Sequence, residues 1–100
     1  MAKGYWIVRA DVTDPEGFKA YIEAVPAIFR KHGAKFLARG GTFESPEGKT
    51  RARNTILEFP SYAAALDCYG SAEYRAAMAL RKPHSEVEIV IVQGYEGPQP

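Results

Sequence analysis

The chain reads as a small α+β domain in which four antiparallel strands form one sheet with helices on a single face. Three observations predict this. The elements follow the order β-α-β-β-α-(α)-β. Right-handed crossovers then place both helical segments on the same side of the sheet, the ferredoxin-like arrangement. Two strand segments, Trp6-Ile7-Val8 and Ile89-Val90-Ile91-Val92, are apolar at consecutive positions, so both faces of the sheet carry apolar side chains.

Each element has a local reason. Tyr5 to Val12 is rich in aromatic and β-branched residues and reads as a strand. Asp14 is placed to cap the next helix, with Pro15 at its first position. Phe18, Tyr21, Ile22, Val25, Ile28 and Phe29 keep helical spacing, and Pro26 is expected to kink the helix or shift its register near Ile22. Gly33 closes it, with Arg30, Lys31 and His32 in the last turn. Lys35 to Arg39 and Arg53 to Phe59 are the second and third strands, joined by a long polar loop through Gly40-Gly41 and Ser45-Pro46-Glu47-Gly48. Pro60-Ser61 starts a short helix that breaks at Gly70-Ser71, and Ser71 caps another that stops before Pro83. Glu86 to Gln93 is the last strand. Residues 1–96 form one domain and residues 97–100 a loose tail.

One hundred residues supply one core and little more. Helices cover one face of the sheet, and the other would expose a larger apolar patch than most monomers tolerate. A second copy packed sheet to sheet is the simplest cover, so a homodimer is expected. A net charge of +1 gives no footprint for nucleic acid or an anionic membrane. The longest strongly apolar run, Ile89 to Val92, is far too short to span a bilayer, and Tyr5 to Val8 followed by Arg9 and Asp11 is not the pattern of a secretory leader. The lone Cys68 suits a reducing compartment, so the cytoplasm is the expected location.

Val8, Val25-Pro26, Arg39-Gly40-Gly41, Glu58-Phe59-Pro60-Ser61, Tyr69, Ser71, Glu73-Tyr74 and Arg81 stand in an order and spacing that span nearly the whole chain. In these residues the sequence resembles the family known only as a domain of unknown function, number 1330, in the superfamily of dimeric α+β barrels. Two positions depart from that pattern: Cys68 stands where a Trp is common, and Gln93 where a Glu is common. The second removes a carboxylate, so no acid is carried over there. The superfamily includes cofactor-free monooxygenases, haem-degrading enzymes, muconolactone isomerases and ligand-binding regulatory domains, and fold analogy does not select among them.

Connectivity predicts which groups share an end of the sheet. Arg39, Arg53, Arg81 and His84 are expected at one rim, where sheet and helices can splay into a cleft. Arg81 follows Tyr74, Ala77 and Met78 at helical spacing, which puts a charge on the core-facing stripe. Two readings of it stay open: a guanidinium that snorkels or pairs with Glu86 or Asp11, or a clamp for a carboxylate or enolate oxygen. His84 is the acid–base candidate, because an unperturbed imidazole titrates near neutrality. Tyr69 and Tyr74 have two readings, core aromatics with a hydroxyl reaching the edge, which is the commoner case, or residues that shape a pocket, with Arg39 and Arg53 holding substrate. Arg9 and Glu58 are expected to pair across neighbouring strands, and the Lys49-Arg51-Arg53 stretch to form a solvated hairpin.

No metal is expected, since two histidines and one cysteine match no zinc spacing. No cofactor follows from the residues, and haem through His84 enters only as an implication of the resemblance. The expected partners are a second copy of the chain and a small-molecule ligand. Two functions stay open. One is an enzyme acting on a small anionic or enolisable molecule, of the cofactor-free oxygenase or isomerase class. The other is a non-catalytic ligand-binding or structural dimer.

Overall fold

The computed structural model describes residues 2–100, and Met1, the first residue of the expected domain, lies outside them. Strand β1 (Gly4–Val12) leads into helix α1 (Pro15–Lys31), followed by β2 (Lys35–Arg39), β3 (Arg53–Phe59), α2 (Tyr62–Gly70) and α3 (Ala72–Arg81). A single 3₁₀ turn, Lys82–His84, delivers the chain to β4 (Ser85–Gln93). The strands lie in the order β2-β3-β1-β4, and every neighbouring pair is antiparallel.

The ends of the helices follow local chemistry, with one exception. Ser61 accepts from the Ala64 amide and Ser71 from the Tyr74 amide, so each satisfies an amide that would otherwise lack a partner. Gly33 has a φ of 75°, and the amides of Gly33 and Ala34 close back on Arg30 and Phe29. Helix α1 is unbroken through Pro26. Asp14 is the exception: it holds the N-cap position but its side chain makes no cap bond. Its carboxylate lies instead 3.2 Å from His84 Nδ1. The Thr13 and Asp14 amides both donate to the His84 carbonyl, so the turn before β4 is tied to the start of α1.

Alternation along β1 sends Trp6, Val8 and Ala10 toward the helices and Tyr5, Ile7, Arg9 and Asp11 to the opposite face. Trp6 is the centre of the core. It is fully buried, its indole N–H donates to the Ala65 carbonyl at 2.9 Å, and Phe29, Phe59, Tyr69 and Tyr74 pack around it at 5.0–5.8 Å. Burying the apolar body while satisfying its single donor is what makes Trp tolerable at such a site.

The opposite face has two halves. Ile7 pairs with Ile56 on one side and Val90 on the other, and all three are exposed, as is Val92 beside them. The other half lies under the β2–β3 loop. Arg51 pairs with Asp11, Glu86 and Glu88, and the Ala52 amide donates to Asp11 at 2.9 Å. Arg9 donates to Thr50 and to the Lys49 carbonyl. Two sequence expectations are corrected here. Arg51 does not sit in a solvated hairpin, because the acids of β1 and β4 draw it onto the sheet. Arg9 and Glu58 do not pair: the register sets Arg9 opposite Asn54 and Glu58 opposite Tyr5, whose hydroxyl donates to it at 3.1 Å.

Candidate functional site

A cleft of about 60 Å³ opens between α1 and the sheet. Helix α1 contributes Phe18, Tyr21, Ile22 and Val25, β1 gives Val8 and Ala10, and β3 gives Arg53 and Thr55. Phe36 and Arg39 come from β2, Arg81 from the end of α3, and Val87 from β4. A volume of about 60 Å³ is small beside the roughly 300–1,000 Å³ of typical small-molecule pockets. An occupant is therefore small, or its larger body extends through the mouth.

Three arginines converge here from three elements, as the connectivity predicted. Each guanidinium lies near an aromatic ring: Arg39 at 4.2 Å from the Phe36 centroid, Arg53 at 5.5 Å from Phe18, and Arg81 at 5.6 Å from Tyr21. Among the described residues none of the three makes an ion pair. Asp11 and Glu86, the acids expected to meet Arg81, are taken by Arg51 on the other face.

Arg81 is the extreme case. Its residue is only 7% exposed, its Nη2 donates to the Tyr74 hydroxyl at 3.5 Å, and its buried Nε–H has no acceptor. A cation–π contact is worth about 0.5–2 kcal/mol. Removing an ion from water costs several kcal/mol even after relaxation. The ring alone cannot offset that, and the buried Nε–H is left for an acceptor the described residues do not supply. Burial opposes the Arg81 charge, but the Tyr74 and Tyr21 hydroxyl oxygens outweigh it and the guanidinium stays protonated. Burial, and then the Tyr74 hydroxyl, pushes the Tyr21 phenol far above the ordinary tyrosine range, so Tyr21 keeps its proton.

The other expected site residues stand further back. Tyr74 is fully buried behind the cleft and outside its lining, with its hydroxyl 2.8 Å from that of Tyr21. Tyr69 packs on Trp6 and Tyr74 in the core and is not part of the lining. His84 is not part of it either: its ring is held by Asp14 and lies over Gly17, where an added Cβ would meet it at 2.4 Å. Tyr21 is among the lining residues that the sequence did not mark as part of a site. Its place on the α1 stripe looked like core, and nothing local announces a hydroxyl partner on α3. Burial, and then Glu73, pushes the Cys68 thiol from an ordinary 9.0 up to about 12, so it is no nucleophile near neutrality. Among the described residues no group of three or more His, Cys, Asp and Glu is placed to hold a metal ion.

The antiparallel sheet in the order β2-β3-β1-β4, with helices on one face and a cleft between, defines a ferredoxin-like α+β protein. The chain belongs to the family described as a domain of unknown function (DUF1330), which matches residues 3–95. Solved structures of the same fold agree. The RPA0582 protein of unknown function from Rhodopseudomonas palustris is 17% identical with a TM-score of 0.70, over 96% of this chain and 85% of that one. SnoaB, a cofactor-independent oxygenase from Streptomyces nogalater, is 14% identical with a TM-score of 0.66, over 100% and 97% of the two chains. A dimeric ferredoxin-like protein of unknown function from Thermobifida fusca is 15% identical with a TM-score of 0.57, over 92% and 89%. No curated protein matches the chain in sequence. No helix among the described residues is long and apolar enough to cross a membrane.

Proposed function

We propose that this protein binds a small organic anion in the cleft between α1 and the sheet, as a homodimer joined through the opposite sheet face. The observation that carries the anion reading is Arg81, a buried guanidinium with no carboxylate and an unsatisfied Nε–H. Arg53 and Arg39 add to the same charge in the lining. An anion supplies what the folded chain lacks, and the apolar walls from Phe18, Ile22 and Val25 suit its carbon body. The dimer reading rests on the exposed row Ile56, Ile7 and Val90 and on the dimeric relative from Thermobifida fusca.

The test is a thermal-shift screen of short carboxylates against the wild type and Arg81→Met. Binding to the folded state raises Tm with ligand concentration. The wild type is expected to respond and the variant not to. A response that survives in Arg81→Met overturns the reading.

A second reading makes the site catalytic, and the oxygenase of the same fold favours it. Arg81 and Tyr21 would stabilise an enolate oxygen as a C–H proton passes to His84, which stands outside the lining beside the start of α1. Isomerisation would return that proton to another carbon. The ionisable groups that line the cleft are arginines and a protonated tyrosine, which stabilise charge rather than accept protons, so binding is the better-supported function. An assay panel with His84→Ala separates the two. Turnover unchanged in that variant removes His84 from any mechanism.

A further inference from the structure

The hydroxyls of Tyr21 and Tyr74 lie 2.8 Å apart, and which of them donates decides what the cleft presents to an occupant. Tyr74 is fully buried, and its oxygen already accepts from Arg81 Nη2 at 3.5 Å. If Tyr21 also donated to Tyr74, the Tyr74 hydrogen would be stranded in the core without an acceptor. Such a loss carries the full desolvation penalty of an unsatisfied buried donor. If Tyr74 donates to Tyr21 instead, its hydrogen is used and the hydrogen left over belongs to Tyr21. Tyr21 lines the cleft and Tyr74 does not. The favoured arrangement therefore runs from Arg81 through Tyr74 to Tyr21, each donor polarised by the one behind it, and ends on an O–H turned toward the cavity.

We propose that Tyr21 selects the occupant of this cleft, and that the occupant is a short 2-oxo carboxylate. Its carboxylate would lie among the arginines, and its carbonyl oxygen would accept from Tyr21. This rests on the anion-binding reading above. A simple carboxylate gives its oxygens to the forked guanidinium groups and leaves the Tyr21 hydrogen without a partner of its own. A carbonyl beside the carboxylate fills that vacancy, and the cavity of about 60 Å³ favours the smallest molecule that carries both groups. Tyr21 retains its proton throughout the working pH range, as a permanent donor must.

Pyruvate and propionate differ by that one carbonyl oxygen, so titrating each against the wild type and Tyr21→Phe, followed by amide NMR, isolates it. The wild type is expected to bind pyruvate about tenfold more tightly than propionate, the worth of one net hydrogen bond. Tyr21→Phe is expected to reduce pyruvate to the level of propionate and to leave propionate unchanged. Equal affinities in the wild type, or equal losses for both acids in the variant, overturn the role of Tyr21 while the anion site stands. Binding of neither acid to the wild type overturns the anion reading, and this inference with it. Should Tyr21→Phe fail to fold, the wild-type ratio alone decides.

Discussion

Arg51 Nη1 and Asp11 Oδ2 meet at 2.9 Å on the face of the sheet away from the helices, and this pairing leaves Arg81 without an acid. Alternation along β1 sends Asp11 to one side and Ala10 to the other, so Asp11 cannot serve both arginines. The backbone N–H of Ala52, and then Arg51, hold the Asp11 carboxyl below its ordinary 3.8. The native value is depressed, so the stabilisation is present above 3.8 and is lost as pH falls through the lower native value. Thermal melts from pH 6 down to about pH 2 are expected to show Tm falling more steeply in the wild type than in Asp11→Asn. Parallel curves would show that Asp11 contributes nothing to the acid limb.

Arg81→Met is expected to raise the Tm of the ligand-free protein while abolishing its response to carboxylates. Methionine fills similar volume without a charge to desolvate, and replacing buried ionic groups by packed apolar ones is often neutral or stabilising by about 1–4 kcal/mol. In a domain of this size each 1 kcal/mol moves Tm by about 4–8 °C. Stability gained as binding is lost is the mark of a site held ready for a ligand. A variant that melts well below the wild type would instead give Arg81 a structural role.

Much of this architecture was legible because it follows from period and connectivity. Alternation at Trp6, Ile7 and Val8 announced a sheet apolar on both faces, and the chain direction alone brought Arg39, Arg53 and Arg81 together. Ser61, Ser71 and Gly33 marked helix ends by chemistry that needs no tertiary information. The misreadings share a different cause. The pairing of Arg9 with Glu58 required the β1–β3 register, which sets Arg9 opposite Asn54 and Glu58 opposite Tyr5 and which neither strand's own pattern specifies. Arg51 lies in an aperiodic loop, so no pattern foretold its descent onto Asp11. Asp14 had the right residue type for a cap, but His84, seventy positions further along, outcompeted the helix amides for its carboxylate.

That contact makes Gly17 testable. A Cβ there would stand 2.4 Å from the His84 ring, so Gly17→Ala must push the imidazole away from Asp14. Alanine otherwise gains up to about 1 kcal/mol over glycine in a helix, with Gly17 standing in the first turn of α1. In a His84→Ala background Gly17→Ala is therefore expected to stabilise by about that amount, and in the wild-type background by clearly less. Denaturant melts of the four proteins measure the difference directly. An identical gain in both backgrounds would mean that the ring yields at no cost and that its contact with Asp14 adds nothing.

Val90 addresses the uncovered face. It is 57% exposed, it lies opposite Ile7 in the register, and Ile56 flanks Ile7 on the other side. Apolar surface gains about 25 cal/mol per Å² when removed from water, so a few hundred Å² of this face is worth several kcal/mol in a dimer. Val90→Lys deletes an apolar contact in each copy and sets a hydrated ammonium in the middle of the row. Losing about 1.5 kcal/mol or more from each side weakens the dimer by at least roughly a hundredfold. Because Val90 points away from the cleft and outside its lining, the folded protomer and its carboxylate response are expected to survive. Sedimentation at micromolar concentration should show a dimer for the wild type and a protomer for Val90→Lys. A wild-type protomer under those conditions would leave the Ile7–Val90 face in water and remove the case for a second copy. A Val90→Lys dimer would place the interface elsewhere.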